Sequence, residues 1–159
     1  MKIRVGFGYD VHNLVPNREL WLGGLQIPHE MGLQGHSDAD VLIHAICDAL
    51  LGAANMRDIG FHFPDNVGEF KNIDSKILLA KTVELIATKG YRVGNVDATV
   101  CAERPKLKAR IPEMQEVLAK LMGVDVDDVS IKATTTEKLG FTGREEGISA
   151  YATVLIEKM

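Results

Sequence analysis

Two histidines and an aspartate carry the first chemical signal in this chain. Asp10 and His12 stand two positions apart in "GYDVH" (8–12), at the end of a run in which Ile3, Val5, Phe7 and Tyr9 alternate with smaller or polar residues. In a strand, residues i and i+2 point to the same face. The carboxylate and the imidazole can therefore converge, as a hydrogen-bonded pair or as two ligands of one cation, and a lone D-x-H does not choose between a capped strand end and a metal site. His44 offers a third group. With Asp40 and Asp48 it is spaced i, i+4, i+8 and forms one polar stripe among Val41, Leu42, Ile43, Ala45, Ile46, Ala49 and Leu50. A polar stripe on a buried helix needs partners. Either His44 is satisfied by Asp40 or Asp48, or it joins Asp10 and His12. Three protein ligands with a vacant fourth position make a zinc site open to water or substrate.

Other segments suit anions. "HSDAD" (36–40) puts His36 and Ser37 just ahead of a helix N-terminus, where free amides favour negative charge; an ordinary N-cap reads the same way. "TTTEK" (134–138) brings Thr134, Thr135, Thr136, Glu137 and a lysine to a strand end. The threonines also suit a strand as such, whereas Glu137 beside hydroxyls can hold a hard cation between phosphate oxygens. "GFTGR" (140–144) carries Arg144 on a Gly-containing loop, an anion clamp or a solvated segment. "AERPK" (102–106) ends a strand in a proline-fixed turn with a lysine. There is no GxxxxGK[ST] and no GxGxxG after a strand, nor a G-x-S-x-G elbow or Ser-His-Asp signature. The chemistry, if any, needs no protein nucleophile.

The elements that must position these groups follow from periodicity. Residues 2–10 read as a strand, and 20–22, Gly23-Gly24 and 25–27 as a hairpin. Ser37 with Asp38 and Asp40 reads as an N-cap and acidic first turn of a helix over about 38–55. Asp74 or Ser75 caps a second helix that ends at Gly90. Residues 92–103 alternate as a strand, Pro112 starts a third helix closing at Gly123, and strands follow at 129–135 and 148–157 around the loop "KLGFTGREEG". Strands mixed with helices imply a helix-covered sheet. We therefore expect an α+β fold, one domain over 1–159, with a mixed β-sheet covered by helices on one face.

Bulk properties narrow the function classes. A chain of 159 residues with 46% apolar composition buries about 70% of its unfolded surface. A net charge of −4 argues against non-specific nucleic-acid binding, but not against a phosphorylated substrate, since a bound divalent cation reverses the local field. The N-terminus has no continuous apolar h-region and no apolar run approaches membrane-spanning length, so neither a signal peptide nor a membrane partner is expected. Cys47 and Cys101 form no CxxC and sit in apolar segments, which fits reduced thiols and a cytoplasmic protein.

Taken together, "DVH" (10–12), "HSDAD" with His44, "DIG" (58–60), "FPD" (63–65), "AERPK" and "IKATTTEKLGFTGREEGI" (131–148) resemble one family. It is the 2-C-methyl-D-erythritol 2,4-cyclodiphosphate synthase family of the non-mevalonate isoprenoid pathway. The resemblance spans nearly the whole chain in motif order, and Ala39, where many relatives have Gly, is its small departure. It implies a homotrimer with active sites between subunits and a cytidine diphosphate-linked substrate. Asp10, His12 and His44 would bind zinc or a similar divalent ion, and Glu137 would help hold magnesium or manganese on the diphosphate. His36 and Thr135 would stabilise the transition state. Ser37, Asp58, Gly60, Phe63, Pro64, Asp65, Asn66 and Val67 would contact the substrate's erythritol and ribose parts, and Asp10, Val11, His12, His36 and Ile59 would also bind substrate. Ala102, Glu103, Arg104, Pro105, Lys106, Leu107 and Lys108 with Thr134, Thr135, Thr136 and Glu137 would form the cytidine and phosphate pocket, from the adjacent subunit. Phe141 and Arg144 match further binding positions, and Arg144 would face a trimer-axis cavity open to an isoprenoid diphosphate.

The implied reaction is intramolecular: the 2-phosphate attacks its own β-phosphorus and expels CMP. The nucleophile is already an anion, which accounts for the missing nucleophile motif. Two alternatives stand beside it, a non-catalytic trimeric binder of isoprenoid diphosphates or nucleotides and a zinc-dependent phosphohydrolase. The length also leads us to expect no fused cytidylyltransferase domain.

Overall fold

The structure, a computed structural model, describes residues 2–159. Its backbone is a five-stranded sheet in the order β4-β1-β7-β5-β6, with a separate β2-β3 hairpin. The strands are β1 (Ile3–Pro16), β2 (Leu20–Leu22), β3 (Leu25–Ile27), β4 (Met31–Leu33), β5 (Tyr91–Cys101), β6 (Val129–Thr134) and β7 (Gly147–Lys158). The helices are α1 (Val41–Ala53), α2 (Ile59–His62), α3 (Ser75–Thr88), α4 (Ile111–Met122) and α5 (Gly140–Gly143). β7 runs antiparallel to both β1 and β5, whereas β6 is parallel to β5, so the sheet is mixed.

One face of this sheet packs on α1, α3 and α4. Val96, Ala98 and Val100 of β5, Ala150, Ala152 and Val154 of β7, and Val129 and Ile131 of β6 are buried there against the helices. Helix α1 crosses β1 at unusually short range because β1 offers Gly6 and Gly8. A Cβ at either glycine would lie 1.9 Å from the carbonyl oxygen of Ala49 or Ala45. The other face is uncovered, and along β1 it is apolar: Val5 is 66% exposed, Phe7 64% and Tyr9 41%. Tyr151 of β7 joins them, with its ring centroid 5.0 Å from that of Tyr9.

Two boundaries differ from the sequence reading in ways that matter for the site. β1 does not stop at Asp10: β7 carries the ladder to Asn13, and β4 pairs with Leu14–Pro16. Asp10 and His12 therefore sit inside a strand on its helix-facing side. Helix α1 starts at Val41, three residues later than its acidic first turn suggests, because Asp40 is the N-cap and accepts from the Ile43 amide at 3.1 Å. The Asp40 carboxylate also takes the amides of Gly23 and Gly24 at 3.0 and 2.7 Å. Ser37 instead closes a local turn, its Oγ accepting from the Ala39 amide. The remaining caps follow the sequence: Asp74 caps α3, and Gly123 ends α4 in the left-handed region at φ 69°. The short elements β4, α2 and α5 have too few residues to show a period, and α5 lies within the segment read as a loop. No described helix is long and apolar enough to cross a membrane.

Candidate active site

The close α1–β1 crossing decides where His44 goes. Gly8 meets the backbone of Ala45, so the next residue back along α1 lies over the next inward-facing residue of β1, Asp10. Asp10 Oδ2 stands 2.9 Å from His12 Nε2 and 3.1 Å from His44 Nδ1, and the two imidazole nitrogens are 3.2 Å apart. Ligand atoms ~2.05 Å from a tetrahedral ion are ~3.3 Å from one another. The donor set, one carboxylate and two imidazoles, and its spacing thus fit a divalent ion, and all three can reach one point. His12 Nδ1 faces the Gln34 carbonyl at 2.8 Å. A carbonyl only accepts, so Nδ1 carries a proton; Nε2 donates to Asp10 when no ion is bound, and the neutral ring would offer its Nε2 lone pair to an ion in the cluster. The intrahelical alternative fails, because the His44 ring bonds neither the Asp40 nor the Asp48 side chain; its Nε2 lies beside Ser37 Oγ and Ser75 Oγ at 3.2 and 3.0 Å.

Electrostatics without an ion point the same way. Burial works to raise the Asp10 carboxyl, but hydrogen bonds and charge from His12 and His44 outweigh it and hold it at about 2. Burial works to lower the His12 imidazole, yet its bond to Asp10 leaves it raised. Asp10 behaves as an anion awaiting positive charge.

The cluster opens into a cavity of about 240 Å³ lined also by His36, Ser37, Ile59, Gly60, Phe63 and Asp65. His36 Nε2 lies 3.4 Å from the Val67 carbonyl, on the 63–67 segment. Asp58 caps α2 by accepting from Phe61. Asp48 accepts from the Ile59 amide at 2.8 Å, which holds Gly60 beside the cluster; burial raises its carboxyl, against that amide. Val11 points the other way, onto the bare sheet face, and Pro64 and Asn66 do not line the cavity. A larger cavity of about 460 Å³ shares Ser37 but runs between Arg18, Trp21 and Asp74.

A second group assembles elsewhere. The ends of β5 and β6 are neighbours, with Cys101 opposite Thr134 and the Ala102 amide on the Thr134 carbonyl at 3.0 Å. Ala102, Pro105, Lys106, Leu107, Lys108, Thr134 and Thr135 line a cavity of about 130 Å³ there. Glu103 is spent holding the Thr136 amide, and Arg104 is clamped by Glu145 and Glu30. Thr135 Oγ1 accepts from the amide of Glu137, which is exposed and left-handed at φ 54°. Arg144 pairs with Glu146 at 2.7 Å, and Phe141 is partly exposed near Gly147. Asp10 pairs with Ala150, Ala150 with Val100, and Val100 with Ala133. Three strand spacings, ~14 Å, thus separate the two groups within one chain.

Sequence reasoning missed the residues behind the cluster. Gln34 acts through its backbone carbonyl, which leaves no side-chain signature, while Asp38 and Ser75 had only a helix-cap signal.

The fold and site define a mixed α+β protein in which Asp10, His12 and His44, placed so that they could hold one metal ion, open into a cavity, and the chain belongs to the YgbB family, which it matches over residues 3–157. It is 85% identical over 158 residues, 99% of either chain, to the 2-C-methyl-D-erythritol 2,4-cyclodiphosphate synthase of Phocaeicola vulgatus. It is 80% identical to that of Bacteroides fragilis over the full length of both chains. Among solved structures, the Plasmodium falciparum IspF CDP complex superposes with a TM-score of 0.86 at 34% identity, covering 98% of this chain and 96% of that one. The bifunctional IspDF from Campylobacter jejuni superposes at 0.95 with 43% identity, this chain spanning 43% of its length.

Proposed function

We propose that this chain, as one synthase domain in a cytoplasmic homotrimer, converts 4-diphosphocytidyl-2-C-methyl-D-erythritol 2-phosphate to 2-C-methyl-D-erythritol 2,4-cyclodiphosphate and CMP. The observation that carries the reading is the convergence of Asp10, His12 and His44 at the mouth of a cavity bearing His36 and Ser37, in a chain so similar to synthases of that name. Both cysteines are free thiols, which supports the compartment.

In the reaction an oxygen of the 2-phosphate bonds to the β-phosphorus. The bond from that phosphorus to the oxygen bridging it to the α-phosphorus breaks, and its electrons leave with CMP. Attack within one molecule avoids the entropy of collecting two, provided the substrate is folded back. Folding it back is the work of the walls: Ser37, Asp58, Gly60 and the 63–67 segment hold the sugar parts, and Ala102–Lys108 with Thr134–Thr136 hold the cytidine and its phosphates. Zinc held by Asp10, His12 and His44, and magnesium or manganese held with help from Glu137, would supply positive charge to the crowded phosphates. His36 and Thr135 offer hydrogen bonds to charge that grows in the transition state.

The ~14 Å between the two groups in one chain and the uncovered apolar patch of Val5, Phe7, Tyr9 and Tyr151 on one face of the sheet support the trimer. Burying that face against neighbours would bring one chain's Thr135 and Glu137 to another's Asp10. Arg144 would then border the axis, where an isoprenoid diphosphate can bind. Incubation with the substrate tests the reading: CMP and the cyclic diphosphate should appear together. Hydrolysis products without the ring would favour a phosphohydrolase, and binding without turnover a carrier.

A further inference from the structure

The least exposed polar groups around the cluster are not ligands. Ser75, the first residue of α3, is fully buried, and its Oγ lies 3.0 Å from His44 Nε2. The same hydroxyl donates to Asp38 Oδ1, and the Ser75 amide donates to Asp38 Oδ2 at 2.9 Å. A serine hydroxyl has one hydrogen. With it committed to Asp38, Ser75 Oγ can only accept from His44. Were Nε2 a lone pair, it would face the Ser75 oxygen lone pairs at contact distance, an arrangement that costs rather than stabilises. Ser37 Oγ, 3.2 Å from the same nitrogen, can share the proton.

We infer that Asp38, acting through Ser75, fixes the His44 proton on Nε2 and so turns the Nδ1 lone pair toward Asp10 and His12; Asp38 and Ser75 are positioning residues of the metal cluster. The inference rests on the reading of that cluster as a metal site and deepens it. Gln34 does the same for His12 from the other side, since its carbonyl takes the Nδ1 proton. Both imidazoles thus present lone pairs to one point, and partners of this kind commonly raise metal affinity 10–100-fold. The Asp38 carboxylate also accepts from the Asp40 amide at 3.1 Å, so it joins the start of α1, which carries His44, to the start of α3.

The test is nitrogen NMR of ¹⁵N-histidine-labelled protein, metal-free, combined with zinc titration of the wild type, Asp38→Asn and Ser75→Ala. Wild type should show a proton on His44 Nε2 in both forms: in the metal-free protein whether or not Nδ1 also donates to Asp10, and in the zinc-loaded protein with Nδ1 on the ion. Asp38→Asn, which frees the Ser75 hydrogen to turn to His44, should move the ring toward the Nδ1–H form and weaken zinc ~10–100-fold. Its kcat should recover at saturating zinc, which a merely structural defect would not allow. A wild-type ring that carries no proton on Nε2, or an Asp38→Asn protein with wild-type zinc affinity and tautomer, overturns the inference. If Ser75→Ala does not fold, the first two proteins still decide it. A wild type that takes up no zinc sinks the metal reading instead, while the tautomer spectrum still judges the relay.

Discussion

The two groups of site residues are built on opposite plans. Asp10, His12 and His44 come from a strand and a helix clamped together through Gly8, and their ligand atoms already lie within 3.2 Å of one another. The Thr134–Glu137 group lies where β6 gives way to a turn, largely exposed, with Glu137 unpaired among the described residues. The three candidate metal ligands all come from one chain, whereas under the proposed function the Thr134–Glu137 group supplies only part of a site. An ion needs ligands placed to within tenths of an ångström, which a packed helix–strand crossing provides. A substrate that must be admitted and folded back needs a wall that arrives from elsewhere.

That contrast can be broken by separating the subunits. Phe7→Asp combined with Tyr151→Asp puts charge on the bare face and should give monomers by sedimentation, with turnover at background. Zinc binding should persist, since all three ligands belong to one chain; its loss along with the trimer would erase the contrast. Removing a ligand acts the other way round. His44→Ala should leave a folded trimer with weakened zinc binding and kcat lower by ~10²–10³-fold or more, and full zinc stoichiometry with normal turnover would sink the ligand assignment. Thr135→Ala should be milder, lowering kcat about 10–100-fold with KM and zinc affinity little changed. An unchanged kcat would count against its role.

The smallest effect concerns pH. In metal-free protein Asp10 sits at about 2, below its ordinary 3.8, so its contribution to stability is present above pH 3.8 and lost as pH falls toward 2. His12 is raised above 6.5, so its contribution is full below pH 6.5 and is lost as pH rises through the folded value. Metal-free Tm should therefore gain most from the pair between those limits and decline above them. Zinc-loaded protein should show the reverse on the alkaline side, because only deprotonated His12 binds the ion, and it should lose zinc on acidification as protons compete for His12. Parallel melting curves for the two forms would contradict the shared use of these groups.

How much of this was legible in the sequence follows the same division. The i, i+2 spacing of Asp10 and His12 and the buried polar position of His44 survive in the structure because strand and helix periods are local. That strand and helix meet depends on Gly6 and Gly8, whose meaning as a contact surface appears only once α1 lies on them. The polar stripe misled in part, since Asp40 turns to the hairpin amides and Asp48 to α2. The alternating apolar residues of β1 marked the strand but not its inner face: they point outward, because glycine takes the inner positions. "TTTEK" and "AERPK" were legible only through family resemblance: their partners lie across the β5–β6 pair, a parallel pairing no local pattern announces.

In the proposed trimer each active site joins one chain's Asp10–His12–His44 to another chain's Thr135 and Glu137. The direct measurement mixes two inactive proteins, His44→Ala and the double variant Thr135→Ala with Glu137→Ala, unfolds and refolds them together, and follows CMP and cyclic diphosphate. Random mixed trimers should regain about a quarter of wild-type activity, since one in four neighbour pairs then offers both intact halves. Mixed trimers that stay as inactive as either parent would place both halves in a single chain and contradict the claim.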